Sequence, residues 1–455
     1  SFSDFTYPIT LTGDTLVATG NTLLRPGYDG IQTYGQNLAS DFSLVSNNTI
    51  TCDALGATNS YAVWSASANA VVAGNTVSGC NSSVYIANIG PGLTAVVRGN
   101  LITAPATATD AAIHVASGNR TTVAGNQITH GGHSGAIWLA GNVSVPLGRA
   151  RVDSNTILHV ADRAIWADYT DTLTARGNLI DTVTYSGYYT SGPVGIGLAN
   201  GALLDSLERN TIRHAARGVE ITISGVAAAL DSNAISATDT AAVWVDAGQV
   251  ALTGNHIANN NRYGLNIVGA SAAIHQVHGN AFVNDAQYGI ATSSDSVNAQ
   301  GNWWGLASGP QTGTGSDSTI GRVDATNFLM TDPSPSLPPL APPVRIIALA
   351  PAPAGAGLPV RRYVAPTQAA SPAPATVTTN ARELTLATRM AAVSGDSRVA
   401  RALLQRAARL RAQLQADAAR SQERVQRAVA ARERQRQAEA AQAARIAARK
   451  GRPGS

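Results

Sequence analysis

Ala73-Gly74-Asn75-Thr76-Val77, Arg98-Gly99-Asn100-Leu101-Ile102 and Ala124-Gly125-Asn126-Gln127-Ile128 are copies of one short pattern, roughly Gly/Ser-Asn-x-apolar. Its asparagine recurs at Asn21, Asn48, Asn75, Asn100, Asn126, Asn155, Asn178, Asn210, Asn233, Asn255, Asn280 and Asn302, with a mean spacing of about 25 residues. A second pattern, usually Gly/Ala-apolar-x-apolar, follows each of the first eleven. Examples are Gly30-Ile31-Gln32, Ala62-Val63-Trp64, Ala136-Ile137-Trp138 and Gly218-Val219-Glu220. Each unit therefore holds short alternating segments separated by turns, and alternation sends one side chain inward and the next outward. One unit cannot bury its apolar face alone; stacking the units makes parallel sheets around a continuous core. With strands about 4.8 Å apart, some twelve coils make a rod roughly 55 Å long. The asparagines then stack at one turn, where their amides bond to each other and to the turn backbone. That ladder is structural.

Composition agrees with this reading. Hydrophobic residues make up 44%, charged residues 13% and aromatics 5%, which suits a tightly turned β architecture better than a helical enzyme. No run of eighteen apolar residues occurs, so no segment reads as a transmembrane helix. The chain starts at Ser1 without methionine, which a removed leader or a trimmed start would each explain.

The net charge of +4 divides unevenly. Residues 380–455 carry 17 basic and 6 acidic residues, +11, which leaves 15 basic and 22 acidic residues, −7, in the rest. A GC-rich genome would explain why Lys450 is the only lysine. It does not explain the segregation, which points to a basic tail with an anionic partner.

Near the end of the repeats stand Gly301-Asn302-Trp303-Trp304-Gly305, Ser308-Gly309-Pro310, Val323-Asp324 and Phe328-Leu329. Over about residues 15–333 the chain resembles the bacterial right-handed parallel β-helix repeat proteins of the pectate-lyase-like superfamily, many of which close with an Asn-Trp-Trp-Gly…Gly-Pro coil. The resemblance implies an all-β right-handed parallel β-helix of about 12 coils. It is nearly silent on activity, because the superfamily includes lyases, epimerases, hydrolases, adhesins and tailspikes. The superfamily's catalytic elements do not carry over. No calcium-binding aspartate cluster with a basic partner is present, no Asp-Asp pair occurs, and the Asp-Pro-His-Asp motif of alginate epimerases is absent. Gly131-Gly132-His133 resembles the glycine-histidine-glycine element of polygalacturonases without its aspartates.

The chain divides into a β-helix over 1–331, a Pro/Ala-rich linker over 332–379 and a basic Ala/Arg-rich tail over 380–455. Proline fixes φ and removes donors, so the linker reads as an extended spacer. The tail is rich in helix formers, and the pattern predicts a short helix near 381–394 and a long one from about 397 to 449, ended by Gly451 and Pro453. Its apolar stripe at Val399, Leu403, Leu410 and Leu414 is too thin for a coiled coil. Docking or assembly, a solvated tail, and binding to an anionic polymer or a membrane surface all remain open. No aromatics interleave with its arginines, which argues against nucleic acid.

Chemistry is sought in the outward residue of the second pattern, which forms one row along the rod: Gln32, Trp64, Tyr85, His114, Trp138, Trp166, Gly197, Glu220, Trp244, Asn266 and Ala291. Four of the six tryptophans stand in it. Exposed rings with polar rims grip sugar rings, so Trp64, Tyr85, His114, Trp138, Trp166 and Trp244, with Tyr188 from a nearby loop, are candidate glycan contacts. Stacked aromatics also stabilise neighbouring strands with no ligand.

Gly197 breaks the row and leaves a notch, over which the insertion Tyr185-Ser186-Gly187-Tyr188-Tyr189-Thr190-Ser191-Gly192-Pro193 can lie. Asp168, Glu220 and Arg217 fall near it, as an acid–base pair with a basic partner or as solvated surface charges. His130, His159 and His214 follow their motif asparagines by four residues, as a turn ladder or as stacked imidazoles for a metal. No metal or other cofactor is assigned. Cys52 and Cys80 fall in nearly the same turn of adjacent coils, within bridging range, and are expected to form a disulfide.

The expectation is an extracytoplasmic, non-catalytic protein, secreted or on a bacterial cell surface. It binds glycan or builds a surface assembly, with self-association through the first coil and the C-terminal helix. The alternative is a polysaccharide lyase, hydrolase or epimerase.

Overall fold

The computed structural model describes residues 2–333 apart from 4–6, 36–39, 53–60, 88–93, 117, 142–145, 190–191, 201–203, 270–273 and 311–316. The tail and nearly all of the linker lie outside the described residues. Alternation acts as expected. In Thr94–Arg98, Ala95 and Val97 are buried while Thr94, Val96 and Arg98 face out, and the strand pairs parallel and in register with Asn69–Ala73 and Arg120–Ala124. A parallel β-helix of about eleven turns results, one fewer than the count of asparagines suggests, since twelve rungs bound eleven intervals.

Each coil presents three faces. One belongs to a 12-stranded sheet of short strands such as Thr49–Thr51, Thr76–Ser78 and Leu101–Thr103. The other two share a 22-stranded sheet, because strands such as Arg217–Asp231 and Ala241–Thr253 run unbroken through the corner between them. On the short face the inward row reads Leu23, Ile50, Val77, Ile102, Ile128, Ile157, Ile180, Ile212, Ile235, Ile257 and Phe282, all buried. Trp304 closes the row, fully buried with its ring 5.2 Å from that of Phe282. The Asn-Trp-Trp-Gly segment thus ends the apolar column with the largest ring available.

The turn from the larger sheet into the short-strand face that follows it explains the repeat pattern. The residue before each motif asparagine has left-handed φ, a conformation glycine adopts without cost, as at Gly74 (φ 64°) and Gly125 (φ 61°). From Asn48 onward, each asparagine Oδ1 accepts from both the backbone N–H and Nδ2 of the preceding rung. Asn100 N and Nδ2 donate to Asn126 Oδ1 at 3.0 and 2.9 Å, and Asn126 Nδ2 also donates to Val97 O at 3.0 Å. The buried amide is fully used, so none of its polar atoms incurs an uncompensated desolvation cost. Cys52 and Cys80 are bonded, with their Cα atoms 4.8 Å apart.

Candidate functional site

The strand register aligns the outward row as the sequence pattern implies. Gln32 pairs with Trp64, Trp64 with Tyr85, and the series continues through His114, Trp138, Trp166, Gly197, Glu220, Trp244 and Asn266 to Ala291. The rings follow one another closely, with Trp64 and Tyr85 the widest step at 6.5 Å. Tyr34 lies 4.6 Å from Trp64, Tyr85 4.8 Å from His114, and His114 4.2 Å from Trp138, centroid to centroid. Trp64, Tyr85, Trp138 and Trp244 are half-buried.

Several members are more enclosed than outward alternation suggests: Gln32 is 8% exposed, His114 9%, Trp166 6%, Glu220 1% and Ala291 6%. Long side chains lean along the rod onto the next coil, so an outward Cβ does not guarantee an exposed ring. Burial pushes the His114 imidazole down to about 4, which keeps it neutral at ordinary pH. Beside it Tyr61 packs 5.0 Å from Tyr85, and burial, assisted by the Asp110 charge, pushes its phenol up to about 12.

The expected notch at Gly197 is filled. A Cβ on Gly197 would come 2.1 Å from Trp166 Cε3 and Cζ3, so the missing side chain makes room for the indole. The Arg163 guanidinium lies 3.5 Å from the Trp166 ring and 3.6 Å from the Tyr189 ring, sandwiched between them. Tyr188 is 67% exposed and lies over His133, not over the notch, with ring centroids 5.3 Å apart and planes within 5°. Asp162 holds the insertion by accepting from Ser186 N at 2.9 Å and from Ser186 Oγ.

The three expected catalytic residues do not converge on an open groove. Glu220 is gripped by Arg217, whose guanidinium also lies 4.2 Å from the Trp244 ring. Asp168 instead accepts from Asn200 Nδ2 at 3.0 Å. Burial raises the pKa of both carboxyl groups, opposed at Glu220 by Arg217 and at Asp168 by the Asn200 hydrogen bond and Arg163. The solvated-charge alternative fails for Glu220, which is enclosed.

His130, His159 and His214 all have positive φ and mark a left-handed turn position, taken by Thr182 in the coil between His159 and His214. The His130 and His159 rings are 6.2 Å apart, and His214 Nδ1 lies 2.8 Å from Asp181 Oδ1. Among the described residues no group of three or more His, Cys, Asp or Glu could hold a metal. Sequence reading missed Arg163 and Tyr34, and named Tyr189 only as part of the inserted loop. The signal for Arg163 was its place three residues before Trp166, the same offset that sets Arg217 before Glu220.

A family model described as a right-handed β-helix region matches residues 7–200 and 148–303. No curated protein and no solved structure matches the chain.

Proposed function

The chain belongs to the right-handed β-helix family, and from that premise we propose that it is a non-catalytic, extracytoplasmic rod that binds glycan along its aromatic row. The observation that carries the reading is the run of closely spaced rings from Tyr34 to Trp138 on one outer face. From Trp64 to Trp138 the run crosses three coil steps, about 15 Å. Trp64, Tyr85 and Trp138 each keep part of their surface open, and Asp110 and Tyr61 supply a polar rim. Apolar ring surface beside hydrogen-bonding groups suits a saccharide, which has both kinds of surface itself. The Cys52–Cys80 disulfide supports an oxidising compartment outside the cytoplasm. The described residues contain no helix long and apolar enough to cross a membrane. Self-association through the first coil and the tail belongs to the same reading, as a surface assembly.

A polysaccharide-active enzyme is the second reading, favoured only by the raised pKa values of Asp168 and Glu220. The burial of Glu220 against Arg217 weighs against it.

The test is a glycan array followed by titration of the hits against wild type, Trp64→Ala and Trp138→Ala. Each substitution should weaken binding about tenfold or more, in line with ~1.5 kcal/mol for a lost ring contact. A large loss of thermal stability with unchanged binding would leave the row as packing alone.

A further inference from the structure

The run of partly open rings is interrupted at Trp166, beside which lies a short strap. Within Tyr185–Tyr189, Ser186 is fixed to Asp162, Tyr188 lies flat on His133, and Tyr189 lies on Arg163, which lies on Trp166. Among the described residues, no backbone-to-backbone hydrogen bond ties Tyr185–Tyr189 to a neighbouring coil. Among the described residues its hold on the rod is ring stacking plus the Ser186–Asp162 contact. Tyr185 is 60% exposed, and Gly187, at φ 90°, has nothing within 4 Å of the place of a Cβ.

Under the strap lies an unsatisfied group. Arg163 Nε is buried and has no hydrogen-bond partner among the described residues, and desolvation lowers the pKa of the guanidinium. A cation clamped between two rings presents its N–H groups edgewise, in the plane between them. Trp138 packs against the buried group formed by Trp166, Val194 and Ala199, so the covered ring is continuous with the open row.

We propose that Tyr185–Tyr189 is a lid over a further saccharide subsite made by Trp166 and Arg163, opened when a glycan longer than the open strip occupies the row. Swinging Tyr188 and Tyr189 away frees the outer face of the guanidinium and its edge. A sugar ring then takes the place of the Tyr189 ring, and a sugar oxygen accepts from Arg163. The closed state lowers apparent affinity by the fraction of molecules that are open, so weakening the lid should tighten binding. This inference rests on the glycan-binding reading above.

The experiment uses the full chain labelled with 5-fluorotryptophan, with the Trp166 fluorine resonance identified by Trp166→Phe. A soluble paramagnetic quencher reports its exposure in wild type and in the double variant Tyr188→Ala/Tyr189→Ala. Both are then titrated with the array hits, a short and a long oligosaccharide of the same type. The lid predicts that quenching of the Trp166 resonance increases in the double variant, because the probe can then approach as far as the outer face of Arg163, while the other five tryptophans are unchanged. It also predicts several-fold tighter binding of the long oligosaccharide, no gain for the short one, and loss of the gain on adding Arg163→Gln. Trp166 quenching that is the same in the double variant as in wild type overturns the lid. So does increased quenching with no gain for the long ligand, or a double variant that binds both ligands more weakly. If neither protein binds any glycan, the binding reading itself fails and the subsite with it, while quenching still reports whether the strap covers Trp166.

Discussion

Gly197 stands in a row whose neighbours on either side are Trp166 and Glu220, and its missing side chain lets the Trp166 indole lie across the next coil. Its φ lies outside the left-handed region, so the backbone alone would accept alanine. The obstacle is the ring. Gly197→Ala should therefore act as overpacking, costing about 1–3 kcal/mol, with the indole displaced outward. Urea denaturation measures the first effect and the shift of tryptophan emission the second. A neutral Gly197→Ala with unchanged emission would mean that the indole does not rest there. The notch was legible in the sequence as a break in a bulky row, but what fills it was not. Alternation fixes the side to which a Cβ points, and the lean of a long side chain along the rod is decided by the volume available in the next coil. The asparagine ladder was legible for the opposite reason: a short side chain repeated at a fixed turn has one place to go, and twelve copies reveal it.

At the scale of one strand, Leu204–Glu208 places Asp205 in an inward position, aligned with Ala228 of the next coil. Oδ1 accepts from Leu173 N at 2.8 Å, and Oδ2 is buried with no partner among the described residues. Burial pushes this carboxyl up to about 7, against the Leu173 hydrogen bond. The folded pKa thus lies above the unfolded value near 3.9, and the folded state binds more protons between the two. Stability from this group is full below about pH 4 and is lost as pH rises through about 7, a change on the order of 4 kcal/mol. Asp205→Asn keeps an acceptor for Leu173 and removes the titration. The stability difference between wild type and Asp205→Asn, measured by denaturation from pH 4 to 8, should therefore move against wild type as pH rises. A difference independent of pH would refute the buried acid. Sequence reading overlooked this residue because its neighbours, Leu203-Leu204 before and Ser206-Leu207 after, leave the phase of the alternation ambiguous. The disulfide lay at the other extreme. Equal offsets from successive motif asparagines, to within one residue, brought Cys52 and Cys80 into adjacent coils, and the only geometry needed was the distance between stacked turns.

For the molecule as a whole, two features bear on assembly. Among the described residues the first-coil strands Ile9–Thr12 and Thr15–Thr19 are paired along one edge only, as is Thr319–Asp324 at the other end. Unpaired parallel edges are sites that proteins cover or pair. The second feature is charge: the 380–455 segment carries +11 and the remainder −7. A basic segment with a thin apolar stripe at Leu403, Leu410 and Leu414 can be steered onto the acidic rod of a neighbour, and such a contact weakens as salt screens it within roughly 8–10 Å. The rival arrangement is a tail that folds back on its own rod and leaves the protein monomeric. The two differ in mass, which sedimentation measures without a structure of the tail. Full-length protein should associate at low salt, dissociate as salt is raised, and lose its association when truncated at Pro374. Protein that stays monomeric at low salt and high concentration, with truncation removing only the mass of the lost residues, would assign the tail to its own rod. Association that survives truncation and is indifferent to salt would instead point to the open strand edges, whose backbone hydrogen bonds depend little on ionic strength.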